Sequence, residues 1–410
     1  MRELNLNDDH NFRNRIPLAE LLDYCKKNNW AGFDPYDALN SRIYLATPLK
    51  ESKICRIALM QIMKRLPINL RPLFLVDKQQ NAKAIALFLT AFVKLSRLGL
   101  LDQKNLIGKM AEILKALRSQ DTPYYCWGYS FPWQTRGDLV PRGAANLVCT
   151  SFVANALLDA YEESRESHYL SMAVSSAEYI LNELYWTEGD SIAGFAYPVP
   201  ASRVRVHNAN FLGAALFLRI NKLSGEKKFI EPALKAARYS ANKQHEDGSW
   251  DYGELSTQRW IDNFHTGYNL CALRTISQCA GTEEFEPHLR RGFEFYRGHF
   301  FREDGAPKYF HNRTYPIDIH SVAQSILTLL DLKDMDEGNV KLAHSVLDWA
   351  VNNMWDEQGY FYFQILPHYK NKIPYMRWSQ AWMLLALSTI AENVKKDAQN
   401  KYEFSGIETS

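Results

Sequence analysis

At 410 residues and a formal charge of +2, the chain can bury a large core but lacks the basic excess that a nucleic-acid partner requires. No apolar run reaches membrane-spanning length, and the polar start MRELNLNDDH lacks the apolar stretch of a secretory leader, which predicts a cytoplasmic protein without a transmembrane segment. Six cysteines with no CxxC pair and no zinc spacing predict reduced structural thiols, with no metal and no other cofactor.

In chain order, residues 1–49 read as an N-terminal helix (LAELLDYCKK, 18–27) and an ordered loop (NWAGFDPYDALNS, 29–41) that pack on a helical body beginning at residue 50. Helical periodicity then runs almost unbroken from residue 50 to residue 394, and the segments alternate between two kinds. SKICRIALMQIMKRL (52–66) precedes KAIALFLTAFVKLS (83–96), and KNLIGKMAEILKAL (104–117) precedes NLVCTSFVANALLDAY (146–161). VHNANFLGAALFLRI (206–220), NFHTGYNLCALRTI (263–276), DIHSVAQSILTLLDL (318–332) and MRWSQAWMLLALSTI (376–390) are apolar nearly all round. Between them lie FIEPALKAARYSANKQ (229–244), FEPHLRRGFEFYRGHF (285–300) and VKLAHSVLDWAVNNMW (340–355), each charged along one face. A helix with one apolar stripe faces solvent, and one that is apolar all round is enclosed by others. The two kinds predict an outer and an inner ring.

Turn chemistry keeps step with that alternation. Glu188-Gly189, Asp247-Gly248, Asp304-Gly305 and Gln358-Gly359 come after the outer helices at intervals of about 55 to 60 residues, the length of one helical hairpin with its connectors. Six such hairpins predict an all-α (α/α)6 barrel over residues 50–394, with a polar, frayed tail at 395–410.

In that topology every inner helix starts at the same end of the ring, and the starts are polar. Asn146 opens one; Arg203, Arg205, His207, Asn208 and Asn210 surround the next; Asp262, Asn263 and His265 open a third. Arg313, Tyr315, Asp318, His320 and Gln324 belong to the fourth, then Arg377, Trp378 and Gln380 to the last. The long connectors add Trp127, Trp133, Asp138 and Arg142, then Trp250, Asp251 and Tyr252. Aromatic faces beside polar groups suit sugar rings, so an oligo- or polysaccharide is the expected partner. Glycoside hydrolysis needs two carboxyl groups, and Asp262 as acid with Asp318 as base, assisted by His265 and His320, is the expected catalytic set. Capping a helix is the competing role for either aspartate. A rival chemistry, uronate lysis or C5-epimerisation, starts from proton abstraction and would use His207, Asn208, Tyr315, Arg205 and Arg313. The arginines favour an anionic sugar under either scheme. A third possibility is a non-catalytic glycan-binding or assembly protein.

The hairpin pattern resembles the six-hairpin glycosidase superfamily, which implies a glycoside hydrolase, a sugar epimerase or a uronate lyase. FDPYDALNS, VHNANFLGAALF, DGSWDYGE, WIDNFHTGYNL and YPIDIHSVAQ resemble uncharacterised bacterial proteins of capsule and exopolysaccharide gene clusters, which implies work on a cell-surface glycan. Separately, Gln244 through Trp250 is similar to the QxxxGxW motif of triterpene cyclases, where the motif is structural; no DxDD proton donor accompanies it.

Overall fold

The structure is a computed structural model that describes residues 17–100, 104–202 and 204–405, with side chains to residue 395 apart from Lys104. Arg203 lies outside the described residues. The helices of ten residues or more, in chain order, are α1 (Leu18–Lys27), α2 (Lys53–Arg65), α3 (Ala82–Arg97), α4 (Lys104–Ala116) and α5 (Leu147–Ser164). Next come α6 (Ser167–Tyr179), α7 (His207–Ser224), α8 (Ile230–Ala241) and α9 (Asn263–Ala280). The chain continues with α10 (Glu286–His299), α11 (Ile319–Asp331), α12 (Gly338–Met354) and α13 (Ala381–Ser405).

Helices α3, α5, α7, α9, α11 and α13 each pack on the next, and α13 packs back on α3. That contact closes the ring of the (α/α)6 barrel expected from the sequence. Inner helices such as α3 and α5 are buried along almost their whole length, as all-round apolarity requires. Side-chain oxygens of Asn81, Asn146, Asp262 and Asp318 accept the free N–H groups at the starts of α3, α5, α9 and α11. Such a cap contributes about 1 kcal/mol per helix and fixes where the backbone turns into the ring. The turn glycines take the expected left-handed conformation, with φ of 64° at Gly189, 89° at Gly248, 86° at Gly305 and 88° at Gly359. At Gly248 a Cβ would also collide with the backbone carbonyl of Arg291. In the segment similar to QxxxGxW, Gln244 Nε2 donates to the carbonyls of Gly248 and His288, and Trp250 Nε1 donates to that of Ser240. Its role is structural here too.

One pairing differs from the sequence reading. Residues 52–66 are expected as the outer partner of α3, yet it is α1 that packs against α13 in the outer layer. Leu18, Leu21, Leu22 and Cys25 of α1 belong to the main core, and Tyr24 meets Tyr360 at a ring distance of 5.2 Å. Helix α2 instead buries Met60 and Met63 in a separate cluster with Ala38, Leu39 and Tyr44. Its apolar stripe is real, but it is satisfied by loops rather than by the ring, so α2 is a lid. Helix α13 runs on to Ser405, through part of the stretch expected as a polar tail.

The seam between the first and last hairpins is closed by buried charge. Arg377 donates to both carboxylate oxygens of Asp34, at 2.6 and 2.7 Å. Arg71 reaches Asp37 at 2.5 Å and the Tyr375 hydroxyl at 2.8 Å. All four charged groups are almost fully shielded from water. Removing one partner leaves an uncompensated charge, so Asp34→Ala is expected to lower stability in chemical denaturation by about 3–5 kcal/mol. The paired replacement Asp34→Leu with Arg377→Met is expected to cost less than that single change.

Candidate functional site

Five of the six inner helices deliver side chains to one axis. Phe152 of α5, Tyr268 of α9 and Trp382 of α13 meet there, with ring separations of 5.4 to 5.7 Å. His320 of α11 lies between Phe264, at 4.5 Å, and Trp382, at 4.4 Å, near parallel to both. Lys83 of α3 places its ammonium nitrogen 3.9 Å from the centre of the Phe152 ring and 3.5 Å from the Tyr268 hydroxyl. Side chains from all these helices thus converge on a plug across the barrel.

Burial sets the protonation of this plug. Desolvation holds Lys83 and His320 well below their ordinary pKa values and lifts Tyr268 well above its own. The phenol therefore keeps its proton and can donate that hydrogen bond to His320 Nε2, 2.6 Å away. In the neutral imidazole this leaves the other hydrogen on Nδ1, which is buried without a partner.

One turn nearer the mouth, Asp262 caps α9 and also holds His265. Its Oδ2 accepts the His265 Nδ1 hydrogen at 2.7 Å and the Trp260 indole hydrogen at 2.9 Å, and its Oδ1 accepts the His265 backbone N–H at 3.0 Å. A carboxylate can only accept, so a neutral His265 carries its hydrogen on Nδ1 and presents Nε2 as a free lone pair. The His265 side chain keeps 21% of its surface exposed while that of Asp262 keeps none. Tyr252, Trp260, His265, Asn208, Asp251 and Asn269 line the cleft beside it. Tyr252 and Trp260 stack at 4.5 Å and 11°, a flat aromatic wall facing the imidazole.

Asp318 is more enclosed. It accepts from the His320 backbone at 2.8 Å, from Gln364 Nε2 at 2.5 Å and from Trp378 Nε1 at 2.9 Å. Burial pushes its carboxyl up to about 6. Both aspartates expected to carry hydrolysis are thus fully engaged as helix caps, and each positions the first turn that bears a histidine.

The other residues singled out from the sequence divide three ways. Trp378 joins the mouth beside His320 at 4.6 Å, and Trp133 borders it beside Tyr197 at 6.5 Å. His207 turns away, with Nδ1 3.3 Å from Ser240 Oγ, and does not share the recess of His265 and His320. Asn263 accepts from Tyr296 and Ser325, Asn210 bonds Phe195 and Ser240, Gln380 clamps the backbone of Phe361, and Trp127 donates to the Leu114 carbonyl. Trp250 is likewise a core residue. Asp138, Arg142, Arg313 and Tyr315 are exposed at the rim, Arg313 over the ring of Phe310. The arginines expected to attract an anion are already neutralised where they are enclosed. Arg205 pairs with Glu188 at 2.6 Å and Glu254 at 3.6 Å, and Arg377 pairs with Asp34.

Several site residues escape a reading of the sequence. Tyr129, Tyr197, Tyr252 and Tyr309 keep accessible surface, yet desolvation lifts their phenols, Tyr197 to about 12 and the others well above the usual range. A ring that is both desolvated and touchable lines a recess. Of these four, Tyr129 and Tyr252 stand out in the sequence, each through its place in an aromatic connector, whereas Tyr197 and Tyr309 do not. Lys64 of the lid reaches in from above, 2.6 Å from the Tyr36 hydroxyl, and Tyr36 meets Trp378 at 5.5 Å. Beneath the plug a separate cavity of about 710 Å³ opens toward the opposite end of the barrel, with Gln324, Ser151 and Asn155 among its walls.

No family model and no curated protein matches the sequence. Solved structures share its shape. A cellobiose 2-epimerase from Bacillus thermoamylovorans is 11% identical, with a TM-score of 0.59 over 77% of this chain and 90% of that one. A D-mannose isomerase is 12% identical, with a TM-score of 0.58 over 77% and 87%. A glycoside hydrolase family 76 α-mannanase from Bacteroides thetaiotaomicron is 12% identical, with a TM-score of 0.56 over 78% and 88%. The chain shares the fold of these proteins.

His207 yields a pH test. Burial holds its imidazole down to about 4, so between that value and the ordinary one the unfolded chain binds a proton that the folded chain does not. The stability contributed by the neutral ring is present above that window and lost as pH falls through it. His207→Asn is expected to show a shallower drop in urea midpoint than the parent between about pH 7 and about pH 4.5.

Proposed function

We propose that the protein is a carbohydrate-processing enzyme that shifts a proton on a sugar carbon next to a carbonyl, as an epimerase or isomerase of neutral reducing sugars. The observation that carries this reading is the Asp262–His265 pair, with its 2.7 Å bond and its outward imidazole beside the stacked Tyr252 and Trp260. An imidazole backed by a carboxylate is a general base suited to neutral pH. His265 Nε2 takes the proton, the electron pair moves onto the carbonyl oxygen, and an enediolate forms. Return of that proton to the neighbouring carbon, with the hydroxyl hydrogen passing from one oxygen of the enediolate to the other, completes an isomerisation. Return to the opposite face of the same carbon, after the enediolate turns, completes an epimerisation.

Two observations favour this chemistry over glycoside hydrolysis. Asp262 and Asp318 are each held by three protein donors and have almost no exposed surface, which disfavours either as the acid that protonates a leaving oxygen. Arg205 and Arg377 are paired with carboxylates, so neither is free to receive an anionic sugar. The names of two solved proteins of this fold, the cellobiose 2-epimerase and the D-mannose isomerase, agree with the reading, while that of the α-mannanase keeps hydrolysis as the comparison to test.

Incubation with reducing mono- and disaccharides in deuterated water is expected to place deuterium at the carbon next to the carbonyl, read by NMR. His265→Ala is expected to lower that exchange by about 10²–10⁴-fold. Asp262→Asn keeps an acceptor for the cap but no longer holds the imidazole as a carboxylate does, and is expected to lower exchange by at least about tenfold. New reducing ends released from an oligosaccharide without deuterium uptake would overturn the proposal in favour of hydrolysis. Ultraviolet absorbance from an unsaturated uronate would overturn it in favour of lysis.

A further inference from the structure

Exposed apolar surface is concentrated at one place. Among the described residues, twelve large apolar or tyrosine side chains are more than a third exposed, and eight of them lie between Ile43 and Leu75. Two more adjoin the same end. Tyr369 donates to the Arg65 carbonyl, and Leu139 belongs to the hairpin whose Gln134 meets Arg56 and Met60 of the lid. Helix α2 has two apolar faces. Met60 and Met63 point inward, whereas Ile54 at 79% exposure and Ile62 at 52% lie on the outward face with exposed Ala58 between them. Positions 54, 58, 62 and 65 keep the helical repeat, and the last of them is an exposed arginine. Ile68 at 67% and Leu73 at 70% extend the patch beyond the helix. Scattered exposed leucines need no explanation, but a contiguous patch does.

Charge indicates what covers it. Residues 42–78 hold eight Lys or Arg against two Asp or Glu; Arg71 is buried against Asp37 and Arg42 pairs with Asp77, and the other six cations face only Glu51 within this stretch. Lys50, Lys53, Arg65 and Lys78 are exposed around the apolar residues. Aliphatic side chains flanked by cations form the pattern of a helix that lies in the interface of a membrane with anionic lipids. No helix of the described residues is long and apolar enough to cross a bilayer, so the contact is with the surface.

We propose that the lid, α2 with its flanking segments 43–50 and 68–75, docks the protein onto an anionic membrane surface with the mouth of the barrel facing the lipid. The aliphatic side chains enter the headgroup boundary and the lysines and arginines meet lipid phosphates. This inference stands apart from the reaction proposed above.

Co-sedimentation of the full chain with vesicles tests it, using phosphatidylcholine alone and phosphatidylcholine mixed with phosphatidylglycerol. At low salt the protein is expected to pellet with the mixed vesicles and about tenfold less with phosphatidylcholine alone or at high salt. Ile54→Asp with Ile62→Asp, both on the outward face, is expected to abolish pelleting while the circular dichroism and melting temperature stay those of the parent. Lys53→Glu with Arg65→Glu is expected to weaken it by about tenfold. Equal pelleting with both vesicle types, no pelleting, or pelleting that survives the isoleucine changes would overturn the proposal. So would a parent dimer in ultracentrifugation that the isoleucine variant dissolves without any vesicle binding in either, because the patch would then join two copies of the chain.

Discussion

Two buried ion pairs at the seam of the ring hold the rest of the molecule in place. Charges removed from water must find partners, and each arginine here has one choice of carboxylate. Asp34 and Asp37 precede the lid and Arg71 comes after it, while Arg377 and Tyr375 stand at the start of the last inner helix. The segment between residues 37 and 71 is therefore anchored at both ends to the point where the barrel closes. The mouth, its cover and the completed ring depend on the same four charges.

The same economy recurs at the helix starts. Asp262 and Asp318 cap their helices, and the geometry of a cap places the residue two or three positions later close to the carboxylate. For α9 that residue is His265, so capping and imidazole orientation are one arrangement rather than competing roles. For α11 the backbone N–H of His320 is held by Asp318 and its ring by Tyr268 of the neighbouring α9.

Periodicity and turn glycines carry the architecture because they are local: an all-round apolar helix and a left-handed glycine each state their environment within a few residues. Helix α2 misleads for the same reason, since Met60 and Met63 announce a buried face without saying what buries it. The polar helix starts point to His265 and His320, whereas Lys83 and Tyr268 sit inside runs that read as core. The partnership of Asp34 with Arg377 spans most of the chain and has no local trace. Arg205 and Arg377 read as free anion receptors because their carboxylates come from distant connectors.

The plug of Phe152, Tyr268 and Trp382 gives the barrel a floor. A ring of helices invites the image of a tunnel, yet this one is a cul-de-sac, with the wide lower cavity walled off from the histidines. Whatever enters from above must back out the way it came. A bound molecule and the next arrival therefore share one entrance, beside the lid.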